Sequence, residues 1–410
     1  MHHKSYKFRI YPTDEQKHYF ALTFGHARFV YNRLLSIISK RYKEEKKYTS
    51  FFDACKLITC ELKPANPWLN DVSRSALNTS AEDLCTAFKS MKHGSGYPKL
   101  KKRTHDQSYR LSEDYRFKLD QSNNTIRLEK IPGLVSCIVS QKIVGKPKFV
   151  TVSKTATDKY FVSITCEVDE VKQHLKTGSS IGIDLGIKTL ASLSDGTSYP
   201  NPKAFEQLRK KLAKNQQILS RKKKGSNQYN KQRLKVARVH ERIRNIRNHH
   251  QHVITTNIIK NHDVICLETL DVIKMLAARS KELSRRLTDA SLGEFVRKLE
   301  YKAIWHGRTV VKVDQYFASS KLCNHCGWKN ENLNLSDRTW FCNGCCNDLD
   351  RDLNAAKNIL QEGLRVLQNP TEKKSAVKRS RVRKDEKLKS PAETVVNAGT
   401  SMLESQKVIV

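Results

Sequence analysis

Residues 181–196 read IGIDLGIKTLASLSDG. Ile181, Ile183, Leu185 and Ile187 make an apolar run with Asp184 in its middle. A carboxylate inside such a strand is costly unless it is paired or has a chemical task. Gly186 predicts a bend and TLASL a second strand. Ser194, Asp195 and Gly196 then close a hairpin turn. A β/α unit therefore begins near residue 181, with an acid at its first bend.

Further along the chain, residues 204–258 read as a long basic helical region. Fifteen Lys and Arg stand against one acid between residues 209 and 247. A merely solvated helix would alternate its charges, so this stretch predicts contact with a polyanion. HDVICLE (262–268) is an apolar strand ending in Glu268, SLGEFVRKLEYKAIWHG (291–307) a helix and TVVKVDQYF (309–317) a strand. A cysteine-rich insert follows. Then CNDLDRDLNAAKNIL (346–360) carries Asp348, Asp350 and Asp352 into a helical pattern. Acids suit a helix start, because free N–H groups and the macrodipole favour negative charge there. That accounts for some of the three, and leaves one for chemistry.

Towards the N-terminus, SYKFRIY (5–11) alternates as a strand, and Pro12 and Asp14 end it and open a helix. Residues 15–100 are mostly helical, including GHARFVYNRLLSIISKRY (25–42) and SRSALNTSAEDLCTAFKSM (73–91). KHGSGYPKLKKR (92–103) breaks the pattern. From about 108 to 170 the period is two: RFKLDQ, TIRLEK, FVTVSKT and KYFVSITCEVD are strands. They predict a small antiparallel barrel or sandwich joined by the N-terminal strand. After about 370 the chain is polar and charged without periodicity, which predicts disorder.

The 410 residues suffice for two or three domains, and 38% hydrophobic content predicts a folded chain. The formal charge of +35 repels itself unless a polyanion neutralises it, and nucleic acid is the obvious partner. No apolar run approaches the ~20 residues of a spanning helix, which argues against a membrane. The start, MHHKSYKFRIYP, lacks the apolar segment of a secretory signal. The expected location is cytoplasmic, and the eleven cysteines then point to metal and free thiols over disulfides.

CNHC (323–326) and CNGC (342–345) are two C-x-x-C knuckles. Two knuckles complete a tetrahedron of thiolates, Cys323, Cys326, Cys342 and Cys345, around one structural zinc. Gly327 and Gly344 allow the tight turns. The competing reading is four buried free thiols, and Cys346, next to Cys345, complicates the assignment. His325 and His262 are ligands in principle, though solvated or structural roles suit them better. Asp184, Glu268 and Asp352 each sit at the end or middle of a core element. Together they could hold Mg2+, which prefers hard oxygen ligands. A pair of such ions about 4 Å apart activates water and stabilises a phosphodiester's leaving oxygen. On spacing alone, unrelated caps and salt bridges explain these acids about as well.

The order of these parts resembles a ribonuclease H-like nuclease of RuvC type: strand with Asp, hairpin, basic helix, strand ending in Glu, helix headed by Asp. More specifically, the chain resembles the TnpB (OrfB) family, transposon-associated relatives of type V CRISPR nucleases. The resemblance runs from about residue 5 to 360. It is carried by YKFRIYPTDEQ, FGHARFVYNRLL, GIDLGIKTLASLSDG, LEYKAIWHGRTVVKVDQYFASSKLCNHCG and DRDLNAAKNIL. It implies an α+β multidomain protein. A β-barrel wedge domain (1–13 and 105–175) would hold an inserted helical recognition domain (14–104). A RuvC-like α/β nuclease domain (178–318 and 347–368) would hold an inserted zinc ribbon (319–346), with a disordered tail at 369–410.

The resemblance further implies an RNA-guided endonuclease cutting double-stranded DNA beside a short target-adjacent motif. Its guide RNA would come from the transposon end, and the protein would be a monomer on that RNA. Carried over by motif, Asp184, Glu268 and Asp352 are its catalytic Mg2+ ligands. Asp350 is then a helix-start group or an outer partner of the metal ligands, and Asp348 belongs to the ribbon loop or to solvent. Nucleic-acid contacts are expected at Arg74 and Asn78, and at Arg221, Lys222, Lys223, Lys224, Arg233, Arg238 and Arg242. Tyr6, Phe8, Phe29 and Tyr31 could stack on bases, but core packing suits most of them better.

The chain departs from the family pattern at Thr269, Cys346, Leu349 and His249. None of these removes a carboxylate. Two other readings remain at this stage: an RNA-guided DNA-binding regulator with little cleavage, and a conventional ribonuclease H-like transposase that needs no RNA.

Overall fold

The computed structural model describes residues 2–45, 49–103, 107–168, 173–277, 280–334 and 336–369. The tail expected to be disordered lies outside them, save Asn369. The chain divides into two compact units, one of residues 1–175, 202–257 and 301–307, the other of 176–201, 258–300 and 308–410. This division is coarser than the domains expected from sequence, and it falls inside two helices.

The first unit opens with β1 (His2–Tyr11), followed by α1 (Asp14–Glu45), α2 (Phe51–Leu57), α3 (Lys63–Ala65) and α4 (Arg74–Lys92). Thr13 and Gln16 cap the start of α1 reciprocally, each side chain meeting the other's backbone N–H. Six strands follow: β2 (Gln107–Leu111), β3 (Phe117–Asp120), β4 (Thr125–Leu128), β5 (Val135–Ile138), β6 (Lys146–Lys154) and β7 (Tyr160–Val168). With β1 they form one antiparallel sheet in the order β2-β6-β7-β1-β5-β4-β3. No pairing joins β2 to β3 among the described residues, so the hydrogen bonds make one continuous sheet, open between β2 and β3, where a barrel or sandwich was expected. Alternation along β1 turns Tyr6, Phe8 and Ile10 into its core. The first half of α1 packs there through Phe20, Phe24 and Ala27. Its second half, with Val30, Tyr31, Leu34 and Ile38, joins a separate helical core with α2 and α4. Of the four aromatics considered for stacking, Tyr6, Phe8 and Tyr31 are buried, and Phe29 packs against Trp68.

The basic region is two helices, where the sequence suggested one long region. Ahead of them lie β8 (Ser180–Asp184), β9 (Thr189–Leu193) and β10 (Ser198–Pro200). The helices α5 (Ala204–Ser220) and α6 (Asn227–Asn261) form a hairpin. Gly225 turns the chain at a φ of 86°, which favours glycine. Val239 and Ile243 pack on Ala204 and Leu212 inside it. Most of its Lys and Arg lie on the outer faces, with Arg221, Lys222, Lys223 and Lys224 at the tip. The single acid of α6, Glu241, accepts from Thr157 at 3.1 Å and pairs with Lys159 at 2.8 Å on the β6–β7 turn.

The second unit continues with β11 (Val264–Glu268), α7 (Val272–Ala277), α8 (Lys281–Ala290), α9 (Leu292–His306) and β12 (Thr309–Val313). Then come β13 (Thr339–Phe341), β14 (Asp348–Asp350) and α10 (Arg351–Gln368). Its sheet has the order β10-β9-β8-β11-β12, with β10, β9 and β8 antiparallel and β8, β11 and β12 parallel. Helix α10 lies on this sheet with almost no spacing. A Cβ on Gly182 would come within 2.1 Å of the Ala356 carbonyl, and one on Gly363 within 2.3 Å of the Cys266 sulfur. Two glycines thus set the height of the helix over β8 and β11. Among the described residues no helix is long and apolar enough to cross a membrane.

Candidate functional site

Asp184 is the last residue of β8 and Glu268 the last of the neighbouring parallel strand β11. Parallel register carries both to the same edge of the sheet. Asp352 stands in the first turn of α10, one turn before Ala356, the residue that rests on Gly182. The strand ends and the helix start therefore converge. Burial, then the Glu268 and Asp352 carboxylates, push the Asp184 carboxyl up to about 7, against a smaller pull from Arg351. Burial also raises Glu268, offset by the hydroxyl of Ser319, which donates to its carboxylate. Asp352 meets the Arg338 guanidinium at 3.4 Å. A half-buried set of hard oxygen donors with excess negative charge suits a divalent cation such as Mg2+.

The other two aspartates separate as the sequence suggested. The Asp350 side chain accepts from the Leu353 N–H at 2.8 Å and is the N-cap of α10. Asp348 is exposed on β14.

The cysteines form a tighter group. Among the described residues, Cys323, Cys326, Cys342 and Cys345 are the set of His, Cys, Asp or Glu whose donor atoms lie within 4.8 Å of one another. The sulfurs of Cys323 and Cys345 are 3.5 Å apart, and those of Cys326 and Cys342 3.6 Å. A tetrahedron of Zn–S bonds near 2.3 Å needs edges of roughly 3.8 Å, so the four sulfurs fit zinc. The backbone builds two matching knuckles: Gly327 N–H to Cys323 O at 2.9 Å, and Cys346 N–H to Cys342 O at 2.8 Å. Burial works against ionisation at Cys342. Backbone N–H groups of Cys345 and Gly344, with the neighbouring thiols, still hold it at about 7. Cys346 sits outside the set, exposed and at a φ of 58°. His325 is exposed, and His262 meets the Ser179 hydroxyl at 2.8 Å; neither belongs to the cluster.

Two of the departures have structural roles. Thr269 extends the β11–β12 ladder, its N–H and hydroxyl both donating to Val313 O. Leu349 is buried in the ribbon core with Trp340 and Cys323. The exposed candidates also have places. Arg74 and Asn78 stand one turn apart at the start of α4, exposed and half-buried. Arg233, Arg238 and Arg242 are exposed on α6.

Sequence reasoning passed over three residues. Asn354 and Asn358 are buried on one face of α10, and both donate to Leu322 O at 2.6 Å. Asn354 also accepts from Asn324 N–H at 2.9 Å, and Asn358 donates to Ser319 O at 2.7 Å. Ser319 in turn holds Glu268. The signal was the i, i+4 pair of asparagines in an otherwise apolar stripe.

Residues 163–279 match the OrfB family described as "Probable transposase". Residues 293–359 match the "Cas12f1-like, TNB domain", and residues 1–47 a "Helix-turn-helix domain". The last name does not describe the geometry here, which is a strand and one 32-residue helix. A protein of Streptomyces pristinaespiralis named "Putative RNA-guided DNA endonuclease" is 36% identical, covering 88% of this chain and 89% of its own. The Escherichia coli K12 protein "Putative RNA-guided DNA endonuclease InsQ" is 33% identical over 89% of this chain and 93% of its own. Among solved structures, the Cas12f1 chain in a complex with single-guide RNA and target DNA superposes with a TM-score of 0.58 at 14% identity. It covers 87% of this chain and 98% of that one, and so shares its α+β fold. Relatives this similar over nearly the whole of both chains decide the matter: the protein belongs to the OrfB (TnpB) family.

Proposed function

We propose that the protein is an RNA-guided endonuclease that cuts double-stranded DNA beside a short target-adjacent motif, using a guide RNA from the transposon end. The observation that carries this reading is the convergence of Asp184, Glu268 and Asp352 at one edge of a sheet, where burial and then the two other carboxylates raise the first. The strand order β10-β9-β8-β11-β12 supports a ribonuclease H-like (RuvC) nuclease domain around them. The names of the Streptomyces and Escherichia coli relatives point the same way.

Asp184, Glu268 and Asp352 would hold two Mg2+ ions. Such a pair supplies an activated water and charge stabilisation at the scissile phosphate. The residues of the chain do the rest. Ser319 fixes Glu268, and Asp350 anchors the helix that carries Asp352. Cys323, Cys326, Cys342 and Cys345 would hold a structural zinc. Arg221, Lys222, Lys223, Lys224, Arg233, Arg238 and Arg242 supply positive charge for RNA or heteroduplex backbone. Base pairing, not the protein, then reads the sequence. Arg74 and Asn78 would read the target-adjacent motif. The finer domain division, a single copy on its RNA and a cytoplasmic location belong to the same proposal.

The test is cleavage of a double-stranded DNA library by protein co-expressed with its flanking genomic DNA, with Mg2+, beside an Asp184→Ala control. Cutting only at guide-matched targets next to one motif, absent in the control, is the expected result. A defined bound RNA without cutting would point to a binding regulator. Cutting or joining without RNA would point to a conventional transposase.

A further inference from the structure

The lead-in to the cysteine ribbon is tied to both carboxylate-bearing elements at once. Ser319 is 4% exposed. Its hydroxyl donates to Glu268, and its carbonyl accepts from Asn358 of α10. Three residues on, Leu322 O takes both Asn354 and Asn358, and the next residue is Cys323. On the far side of the ribbon, Arg338 reaches Asp352, and the Arg338 carbonyl accepts from Arg351 N–H at 2.8 Å. Glu268 thus owes its orientation to a residue outside the sheet, on the segment that leads into the first knuckle.

We infer that Ser319 is a positioning residue for Glu268, and that through it the cysteine ribbon sets how tightly the carboxylate site holds a divalent cation. The inference rests on the proposed function of that site. The chemistry is that of an outer partner to a metal ligand. A carboxylate with one oxygen engaged by a hydroxyl presents the other in a fixed direction, and losing such a partner typically weakens metal binding 10–100-fold. Ser319 also suits this task because a serine hydroxyl can donate to a carboxylate while its own backbone carbonyl stays engaged elsewhere.

The experiment is calorimetric titration of the full chain with Mn2+, alongside zinc content and thermal melting, for wild type, Ser319→Ala, Ser319→Thr and Glu268→Ala. Ser319→Ala should weaken Mn2+ binding about 10-fold or more, with zinc content and melting temperature unchanged. Ser319→Thr, which keeps the hydroxyl, should restore most of the affinity. Wild-type Mn2+ affinity in Ser319→Ala would overturn the inference. So would loss of zinc or of thermal stability in that variant, which would make Ser319 a ribbon residue only. Glu268→Ala separates the two levels. If it binds Mn2+ as wild type does, the carboxylate reading itself fails. If it loses Mn2+ while Ser319→Ala does not, only the positioning role fails.

Discussion

Gly182 leaves no room for a side chain between β8 and α10, since a Cβ would stand 2.1 Å from the Ala356 carbonyl oxygen. Two backbones would have to part. Gly182→Ala should therefore destabilise the protein by about 3 kcal/mol or more, read as a lower urea midpoint. Two residues on, Asp184 pays for its position, as residues at reactive sites often do. Burial and two neighbouring acids oppose its charge. Asp184→Asn should raise the stability of protein dialysed free of Mg2+ by on the order of 1 kcal/mol, while abolishing cleavage. Equal or lower stability by thermal melting would contradict the cost assigned here. Asp184 and Gly182 were legible in different degrees. The acid stood out against its apolar neighbours. The glycine did not, because nothing in IGIDLGI says that a helix from residues 351–368 will lie on it.

Among the elements, α6 is held to the β6–β7 turn by its one acid. Desolvation works against the charge on Glu241, but Lys159 and Thr157 keep its carboxyl below the usual glutamate range. A carboxyl depressed in the folded state adds stability above its unfolded value and loses it as pH falls through the folded one. Glu241→Gln should thus cost roughly 1 kcal/mol near pH 7 and much less in acid below about pH 4, measured by thermal melts across pH. The same elements show what periodicity reveals. The alternation of KYFVSITCEVD gave β7, and the acids before LNAAKNIL gave the start of α10. The division of the basic stretch into α5 and α6 turned on Gly225 at positive φ, a backbone property that a run of lysines conceals. Open sheet or barrel depends on whether β2 meets β3, a pairing of residues distant in sequence that local pattern does not encode. The asparagines of α10 were hidden for a related reason: their partners, Ser319, Leu322 and Asn324, come from another segment.

For the molecule as a whole, charge and cysteines decide behaviour. With a formal +35, RNA binding should release many counterions and weaken roughly 1,000-fold between 50 and 200 mM salt. Replacing Arg221, Lys222, Lys223 and Lys224 together with alanine should lower the slope of log affinity against log salt by about 3, measured by filter binding. An unchanged slope would remove the α5–α6 tip from the interface. Cys323→Ser should strip zinc from the purified protein and open the ribbon to protease, since a structural zinc site contributes folding energy directly. Full zinc occupancy in that variant would dismiss the four-thiolate site.

The order of the three carboxylates along the chain also fixes when they meet during synthesis. Asp184 is made early, Glu268 next, and Asp352 only with α10, which ends at Gln368. The 168 residues from position 184 to position 352 take on the order of 10 s or more to translate at ~5–20 residues per second. Over the last 91 residues of that interval, after Asn261, the basic hairpin is complete, and on the proposed function it can gather RNA before Asp352 completes the carboxylate site. Under the proposed function, synthesis thus completes the carboxylate site last, after a guide RNA has had time to bind.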